Sequence, residues 1–336
     1  MISDFTADDV VFMSEAICLA WESAGHTRPN PPVGAVVVKN GKIIGRGRHV
    51  KCGLDHAEAA ALKNCEESPE GAVLYCTLEP CSKKGRVGAC TDAIIAAKIS
   101  KVVWACDDPN PVNRLCAAKI FEDNGIGWGS GLLKNEAEQL ILPFKKHVTQ
   151  KLPFVTVKLA MSLDGKICDN EGDAKWISSS AARGHTGLYR ERCDAIMVGA
   201  QTVRADNPSL LSHGKANDDL IRVVISETGN LPKDAQIFID GAKNKTLVMT
   251  PSKMGGLRGV MEELGKMNVM HVLCEGGMKL ALSLYEEGLV DEWVSVLSPV
   301  IIGNKPISES KRGQMISLMP CEEKDVIARW KLCSRD

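Results

Sequence analysis

Four residues in the first third of the chain have the types and spacing of a catalytic zinc site. His56 and Glu58 stand two residues apart, Cys81 follows a proline, and Cys90 comes later in the chain. One imidazole and two thiolates can hold a tetrahedral zinc ion and leave its fourth position to water. Zinc lowers the pKa of that water toward 7, and Glu58 is placed to pass its proton to a leaving group. These residues therefore predict hydrolytic chemistry, with Glu58 as the catalytic group and His56, Cys81 and Cys90 as metal ligands.

The order His-x-Glu, Pro-Cys, Cys is that of the zinc deaminases, in which only two residues separate the two cysteines. Here eight residues separate Cys81 from Cys90, so the short-spaced form of the motif does not apply. A structural zinc site, or a buried histidine and cysteines without metal, is the alternative interpretation. The ordered set favours the catalytic site, because a purely structural site has no use for Glu58.

The second half of the chain carries polar and glycine-rich segments after several predicted strands. Glu275-Gly276-Gly277 follows an apolar strand and opens a helix, where backbone N–H groups can receive a phosphate. A tight turn is the alternative interpretation of the paired glycines. Ser162–Lys166 and Gly199–Pro208 also follow strands, and such positions line the ligand crevice of α/β proteins. No Gly-x-Gly-x-x-Gly follows the first strand of this half, which argues against a Rossmann fold.

Strands and helices alternate along both halves, which predicts an α/β fold. Thr6 and Asp9 resemble a capping box at the start of a helix. We predict further helices at His56–Lys63, Thr91–Lys98, Ala181–Arg192 and Met278–Glu286. We predict strands at Val33–Val38, Lys42–Gly45, Val73–Leu78, Lys101–Cys106, Val155–Ala160, Ala195–Val198, Arg222–Ser226, Thr246–Met249, Val269–Cys274 and Trp293–Leu297. Pro143 and Leu152-Pro153 predict a hinge around residues 143–153, between domains of residues 1–148 and 149–336.

Composition narrows the function classes. The chain has 336 residues, of which 44% are hydrophobic and 25% charged, as in soluble globular proteins of about two domains. The net charge of -1 and the 4% aromatic content argue against a nucleic-acid partner. No apolar run is long enough for a membrane span, and the N-terminus lacks a secretory signal. We therefore expect a cytoplasmic enzyme of a small-molecule substrate, without a nucleic-acid or membrane partner.

Thirteen cysteines are scattered along the chain, and in the cytoplasm we expect reduced thiols. Five of them lie in apolar segments and are predicted to be small core residues: Cys18, Cys76, Cys106, Cys193 and Cys274.

The first half resembles the deaminase half of the bifunctional riboflavin-biosynthesis deaminase–reductase family. The matching residues are Thr27–Gly34 (TRPNPPVG), His49, His56–Glu58, Thr77–Cys81 (TLEPC), Gly85-Arg86, Cys90 and Asp108–Pro111 (DPNP). The wide cysteine spacing is normal in that family. The resemblance implies a cytidine-deaminase-like three-layer domain with Zn²⁺ and the catalytic glutamate as assigned above. It also implies that Asn30 and His49 contact the substrate.

The second half resembles the reductase half of the same family, which has a dihydrofolate-reductase-like fold. The matching residues are Val157–Lys166 (VKLAMSLDGK), Trp176–Ser178, Gly199–Pro208 (GAQTVRADNP), Glu275–Gly277 and Gly288–Asp291 (GLVD). The resemblance implies that NADPH is contacted by Ala160, Trp176, Thr202, Asp206 and the loop from Gly277. It implies that the substrate is faced by Arg190, Leu210 and Glu275. For Arg190 by itself, a solvated helix face is the default interpretation.

The activity that the resemblance implies has two steps. Zinc-dependent deamination of 2,5-diamino-6-(5-phosphoribosylamino)pyrimidin-4-one is followed by NADPH reduction of the ribosyl group to a ribityl side chain. We also expect a homo-oligomer, either a dimer or a tetramer.

Several positions depart from the family pattern: Lys83, Gly88-Ala89, Asn113-Arg114, Ile141, Ala174 and His213. None of these departures falls on the predicted zinc ligands or on Glu58. They affect the residues expected to bind the phosphate and the pyrimidine of the substrate. They leave open a diverged paralogue that acts on a related pyrimidine ribosyl phosphate in secondary metabolism. The zinc motif alone also permits a nucleic-acid deaminase, against which charge and aromatic content speak.

Overall fold

The computed structural model describes residues 5–82, 88–111, 113, 116–170, 172, 177–211, 220–304, 306, 311–320 and 326–332. The chain divides into two compact units: Met1–Phe154 with Glu262–Met270, and Val155–Met261 with His271–Asp336. Among the described residues, no helix combines the length and apolar character that a bilayer crossing requires.

The first unit is built on a five-stranded sheet with the strand order β2-β1-β3-β4-β5. Strand β1 pairs antiparallel with β2 and β3, whereas β3, β4 and β5 run parallel. The strands are β1 (Gly34–Lys39), β2 (Lys42–Arg48), β3 (Val73–Leu78), β4 (Lys101–Cys106) and β5 (Gly127–Ser130). The helices are α1 (Ala7–Trp21), α2 (Ala57–Lys63), α3 (Cys90–Ala96), α4 (Ala117–Asp123) and α5 (Lys134–Gln150).

Helices pack on both faces of this sheet. Ala35 of β1 lies opposite Gly47 of β2, so Gly47 and Gly34, the residue before Ala35, point to opposite faces. A Cβ on Gly34 would lie 2.0 Å from the carbonyl oxygen of Ala16 in α1. A Cβ on Gly47 would lie 2.3 Å from the carbonyl oxygen of Ala57 in α2. Glycine therefore allows α1 and α2 to approach opposite faces, which gives the three layers predicted for this half.

Helix α1 begins at a local sequence signal, whereas helix α5 ignores one at Pro143. The capping box of α1 is present, because the Thr6 side chain accepts from the Asp9 backbone and Asp9 accepts from the Thr6 backbone. Helix α5, in contrast, continues through Pro143 to Gln150. One face of α5 is buried, including Leu140 and Phe144, and this burial offsets the single backbone hydrogen bond that proline removes. The segment predicted as a hinge is thus helical over most of its length.

The second unit contains a six-stranded sheet with the order β11-β6-β10-β7-β8-β9. Its strands are β6 (Phe154–Met161), β7 (Ala195–Gly199), β8 (Ile221–Ile225), β9 (Thr246–Met249), β10 (His271–Cys274) and β11 (Glu292–Leu297). A further sheet joins β12 (Val300–Ile301), β13 (Lys311–Pro320) and β14 (Val326–Leu332). The helices of the second half are α6 (Ser180–Arg192), α7 (Ala200–Asp206), α8 (Gln236–Ile239), α9 (Gly256–Lys266) and α10 (Met278–Glu286), with 3-10 turns at Lys243–Lys245 and Pro251–Lys253.

The central strands of the six-stranded sheet bring their carboxyl ends to one edge. Strand β10 runs parallel to β7, and the backbone N–H at the start of β6, Phe154, donates to Met270, the residue just before β10. Neighbouring strands β6, β10 and β7 therefore all run in the same direction. This edge is where an α/β sheet normally binds its ligand.

An ion pair anchors the segment that follows α7. Arg222 of β8 is fully buried, and its guanidinium donates to the two Asp240 carboxylate oxygens at 2.6 and 2.8 Å. The same guanidinium donates to the Ser209 and Ile237 carbonyl oxygens. Because Ser209 follows Gly199–Pro208, Arg222 ties this predicted cofactor segment to the sheet.

Asp240→Asn should destabilise the protein strongly at neutral pH. The substitution leaves the buried Arg222 charge without its anion, which costs about 3 kcal/mol. The hydrogen bond with Arg222 lowers the pKa of Asp240, so its stabilising effect is present above the unfolded-state pKa of about 3.9 and is lost as the pH falls through the folded-state pKa. Urea unfolding at pH 7 and pH 3 measures both effects. The exposed Asp234→Asn is the control, and equal urea midpoints for the two variants at pH 7 would contradict the prediction.

No disulfide bond is present among the described cysteines. Cys76, Cys106, Cys193 and Cys274 are buried, as predicted for core residues. The prediction was wrong for Cys18, which is exposed on α1. Met13, Ala16, Ile17 and Ala20 form the buried face of that helix. Cys18 is rotated by about 100° about the helix axis from Ile17, so its side chain lies outside this face.

Candidate zinc and nicotinamide sites

The structure brings the three predicted metal ligands together. His56 is the N-cap residue of α2, Cys81 follows β3, and Cys90 is the first residue of α3. The His56 Nδ1 atom lies 3.2 Å from Cys90 Sγ and 3.5 Å from Cys81 Sγ, and the two sulfurs are 3.3 Å apart. The edges of a tetrahedral zinc site with such ligands are about 3.5–3.8 Å long. The residues therefore fit a zinc ion after a small outward movement.

Electrostatics at this cluster favour a metal-binding thiolate. The hydrogen bond with Cys90 lowers the pKa of Cys81, and the His56 imidazole and the Cys90 backbone N–H act in the same direction. The Cys90 backbone N–H lies 3.4 Å from the Cys81 sulfur. A thiolate is the form of cysteine that binds zinc.

Glu58 lies beside the cluster without belonging to it. Among the described residues, the group of possible ligand atoms within mutual reach consists of His56, Cys81 and Cys90. The Glu58 side chain is buried, at 4% exposure, and it interacts with the Cys90 thiol. Burial, together with the charge of Cys81, raises the pKa of Glu58 to about 7. A carboxyl group with such a pKa can both take up and release a proton at neutral pH.

A cavity of about 300 Å³ opens at this cluster, and Asn30 and His49 line it together with His56, Glu58 and Cys81. The His49 Nδ1 atom lies 2.9 Å from the Asp55 carbonyl oxygen, which can only accept a hydrogen bond. His49 Nδ1 is therefore the donor, and in neutral His49 the Nε2 atom accepts from Asn30 Nδ2 at 3.0 Å. Burial lowers the pKa of His49, which favours this neutral form. The arrangement leaves the Asn30 Oδ1 atom to accept from a ligand.

Glu79 organises the cavity, a role that the sequence reasoning missed. Its carboxylate accepts from the backbone N–H of Asp108 at 3.3 Å and of Ala117 at 3.1 Å. Asp108 in turn accepts from the Asn110 backbone and from the Asn113 side chain. Glu79 and Asp108 belong to the segments TLEPC and DPNP, which match the deaminase family. Their place in these segments was the sequence signal that could have indicated a role at the site.

Two departures from the family pattern fall on described residues with clear contacts. Asn113 hydrogen-bonds to Asp108 and lines the cavity, and Ile141 packs in the core of the first unit. Lys83, Arg114, Ala174 and His213 lie outside the described residues.

Four of the residues predicted to contact NADPH are placed around one edge of the six-stranded sheet. Ala160 is near the end of β6, Gly277 is the N-cap residue of α10 after β10, and Thr202 and Asp206 belong to α7 after β7. Trp176, the fifth, lies outside the described residues.

A close approach explains the first glycine of the Gly276-Gly277 pair. A Cβ on Gly276 would lie 3.2 Å from the backbone nitrogen of Gly199 and 2.8 Å from Leu280 Cδ2. Glycine at 276 thus allows the turn after β10 to approach the turn after β7. Both turns belong to the segments that the sequence predicts to contact NADPH.

Of the residues predicted to face the reductase substrate, two form an ion pair with each other and the third is buried. Arg190 and Glu275 form a bidentate ion pair, with Nη2–Oε2 at 2.5 Å and Nε–Oε1 at 3.1 Å. Arg190 also donates to the Leu211 carbonyl oxygen at 3.1 Å, so it is not on a solvated helix face. The Leu210 side chain is 2% exposed and packs in a hydrophobic cluster. Its backbone has a φ of +55°, and the residue as a whole is buried, so a substrate contact by Leu210 stays a prediction.

Comparisons with known proteins agree with both halves of this description. Residues 6–106 match the family described as "Cytidine and deoxycytidylate deaminase zinc-binding region", and residues 153–324 match the "RibD C-terminal domain". The riboflavin biosynthesis protein RibD of Actinobacillus pleuropneumoniae is 35% identical, over 89% of this chain and 86% of its own length. RibD of Escherichia coli K12 is 34% identical, over 88% and 89% respectively.

Solved structures of similar proteins give the same result. RibD of Acinetobacter baumannii is 31% identical with a TM-score of 0.80, over 97% of this chain and 99% of its own. A Thermotoga maritima protein, described as a diaminohydroxyphosphoribosylaminopyrimidine deaminase/5-amino-6-(5-phosphoribosylamino)uracil reductase, is 32% identical with a TM-score of 0.82, over 96% and 98%. The predicted fold class, a deaminase-like and a reductase-like α/β domain, is confirmed. The comparisons favour riboflavin biosynthesis over the paralogue and nucleic-acid alternatives.

Zinc in the deaminase half and NADPH in the reductase half are the cofactors of this enzyme. The chain belongs to the RibD family, the bifunctional deaminase–reductases of riboflavin biosynthesis.

Proposed function

We propose that this chain removes an amine from 2,5-diamino-6-(5-phosphoribosylamino)pyrimidin-4-one and then reduces the ribosyl group of the product to a ribityl chain. One observation carries the deaminase proposal: two of the three clustered zinc-ligand residues, His56 and Cys81, line the same cavity of about 300 Å³ as the buried Glu58. That volume is within the range of small-molecule sites. The activities named for the related Thermotoga maritima protein support the choice of substrate.

In the deaminase half, we assign His56, Cys81 and Cys90 as zinc ligands and Glu58 as the proton carrier. Bound zinc supplies an acidified water at neutral pH. The Glu58 carboxylate takes up a proton from that water and delivers it to the departing amine. Its burial keeps bulk water from competing for this proton.

Asn30 and His49 orient the substrate of the deaminase half. The hydrogen bond from Asn30 Nδ2 to His49 Nε2 fixes the amide, so Asn30 Oδ1 accepts from an N–H of the pyrimidine. His49 acts on Asn30 and is itself held by the Asp55 carbonyl oxygen.

In the reductase half, we assign NADPH to the sheet edge bordered by Ala160, Thr202, Asp206 and Gly277, with Trp176 as a further contact. NADPH supplies the hydride, and these residues orient the nicotinamide against the sugar. Arg190, held by Glu275, provides a planar cation for the substrate phosphate. Leu210 stays a predicted substrate contact of this half.

An assay with two readouts tests the proposed function. Zinc-loaded protein is incubated with the diaminopyrimidinone ribosyl phosphate and NADPH, and ammonia release and NADPH oxidation are followed in parallel. We expect ammonia release without NADPH, and NADPH oxidation only after deamination or with pre-deaminated substrate. Ammonia release without any NADPH oxidation would remove the reductase half of the proposal, and no release would remove the deaminase half.

We also propose a cytoplasmic homo-oligomer, either a dimer or a tetramer. Its support is the edge strand β11 of the six-stranded sheet, on which Trp293 and Leu297 are exposed apolar side chains. Exposed apolar residues on a sheet edge favour association with a second copy. Light scattering on the sample used for the assay gives the mass that tests this point.

A further inference from the structure

One face of α5 forms a wall of the deaminase cavity that the zinc chemistry does not use. Phe144, His147, Val148 and Lys151 line the cavity. They stand at positions i, i+3, i+4 and i+7, and the first three lie on one side of the helix. Lys151 is the C-cap residue, directly after the last helical residue, Gln150. The zinc ligands and Glu58 come from other elements, α2, α3 and the end of β3.

His147 on this wall is a polar residue that packing does not explain. Its side chain is 8% exposed, and its Nδ1 atom is buried without a hydrogen-bond partner among the described residues. A buried polar atom without a partner destabilises a folded protein, and most such atoms in proteins are satisfied. A phenylalanine would fill similar space without that cost. Rotation about the Cβ–Cγ bond can turn this nitrogen toward a ligand in the cavity.

Lys151 gives the same wall a positive charge. Among the described residues that line the cavity, it is the sole lysine or arginine. Burial, and then the charge of Lys151, lower the pKa of His147, so the imidazole is neutral at neutral pH and offers one donor and one acceptor. An N–H donor beside an ammonium group suits an oxygen-rich anion.

The proposed substrate has such an anion at the end opposite its reacting amine. The pyrimidine must reach Glu58 and the zinc ligands for deamination, so the ribosyl phosphate has to lie against other walls of the cavity. We propose that His147 and Lys151 position the ribosyl phosphate of the deaminase substrate. The inference rests on the proposed function for the substrate, and on the α5 wall for the residues.

The test separates binding from chemistry. Ammonia release is measured for the wild type, His147→Phe, His147→Gln and Lys151→Gln, each with the phosphorylated substrate and with its dephosphorylated nucleoside. We expect His147→Phe and Lys151→Gln to raise KM for the phosphorylated substrate about tenfold with kcat within twofold. His147→Gln should recover part of the loss. All four proteins should have similar KM values for the nucleoside.

Three controls exclude a merely structural effect. NADPH oxidation with pre-deaminated substrate should be unchanged in every variant. The Tm of His147→Phe should equal or exceed that of the wild type, because the unpartnered nitrogen is gone. His26→Phe, at an exposed histidine, is the matched substitution and should leave KM unchanged.

Calorimetry with ribose 5-phosphate distinguishes failure of this inference from failure of the proposed function. Weaker binding of ribose 5-phosphate to His147→Phe and Lys151→Gln supports the inference even if the pyrimidine substrate is not deaminated. An unchanged KM together with unchanged ribose 5-phosphate binding would overturn it. So would an equal rise in KM for substrate and nucleoside, or a wild type that neither deaminates the phosphorylated substrate nor binds ribose 5-phosphate.

Discussion

Glu58→Gln should abolish ammonia release while leaving the reductase intact. Glutamine has nearly the same shape, so the zinc ligands keep their positions, but its amide cannot carry a proton between water and the departing amine. Loss of a general acid–base group costs about 10²- to 10⁴-fold in rate. The measurement is the kcat of ammonia release, accompanied by zinc content and by NADPH oxidation with pre-deaminated substrate. Both accompanying quantities should match the wild type.

Two further variants show whether the loss of ammonia release is due to the loss of proton transfer by Glu58. Glu15→Gln removes a carboxylate that is part of a surface ion pair with Arg46 and should leave ammonia release unchanged. Glu58→Asp retains a carboxylate at a shorter reach and should keep more activity than Glu58→Gln. The assigned role of Glu58 is incorrect if Glu58→Gln, with full zinc content, retains ammonia release within tenfold of the wild type.

Gly276→Val should have the opposite pattern, with NADPH oxidation impaired and ammonia release preserved. The Leu280 side chain can move away from an added Cβ, but the backbone nitrogen of Gly199, 3.2 Å from it, cannot do so without shifting a turn of the cofactor site. Such overpacking costs about 1–3 kcal/mol, which corresponds to roughly 5- to 150-fold in affinity if it falls on the bound state. The measurement is KM for NADPH with pre-deaminated substrate.

A graded series tests the steric explanation. Gly276→Ala adds the Cβ alone and should raise KM for NADPH less than Gly276→Val does. Gly184→Ala in α6 is the control, because a Cβ there meets nothing within 4 Å. Equal KM values for NADPH in the wild type and Gly276→Val would show that the two turns do not jointly form the cofactor site.

The zinc-site residues were predictable because residue type and order along the chain indicate their chemistry. An imidazole, two thiolates and one unliganded carboxylate have few joint uses, and His56, Cys81 and Cys90 do meet in the structure. Ten strands of the two larger sheets were predictable for a similar reason, since each is an apolar run bounded by turn residues. Strand β5 and the strands β12, β13 and β14 were not predicted. Helix α9 carried a readable pattern in Leu257, Val260 and Leu264, but it was not predicted.

Partnerships between distant residues could not be read from the chain. Arg190 and Glu275 are far apart in sequence, and their ion pair exists only because α6 and the turn after β10 meet in the fold. Leu210 illustrates the same limit, because burial of its side chain depends on which neighbours form the cluster around it.

By itself, the sequence determined the deaminase chemistry and the α/β architecture of both halves, since these depend on residue types and local periodicity. The tertiary structure decided that α5 runs through Pro143, and with it that His147 and Lys151 line the deaminase cavity. A proline favours a break when judged locally, whereas burial of the Leu140 and Phe144 face makes the continuous helix more stable. That balance is set by contacts between elements, which local sequence does not contain.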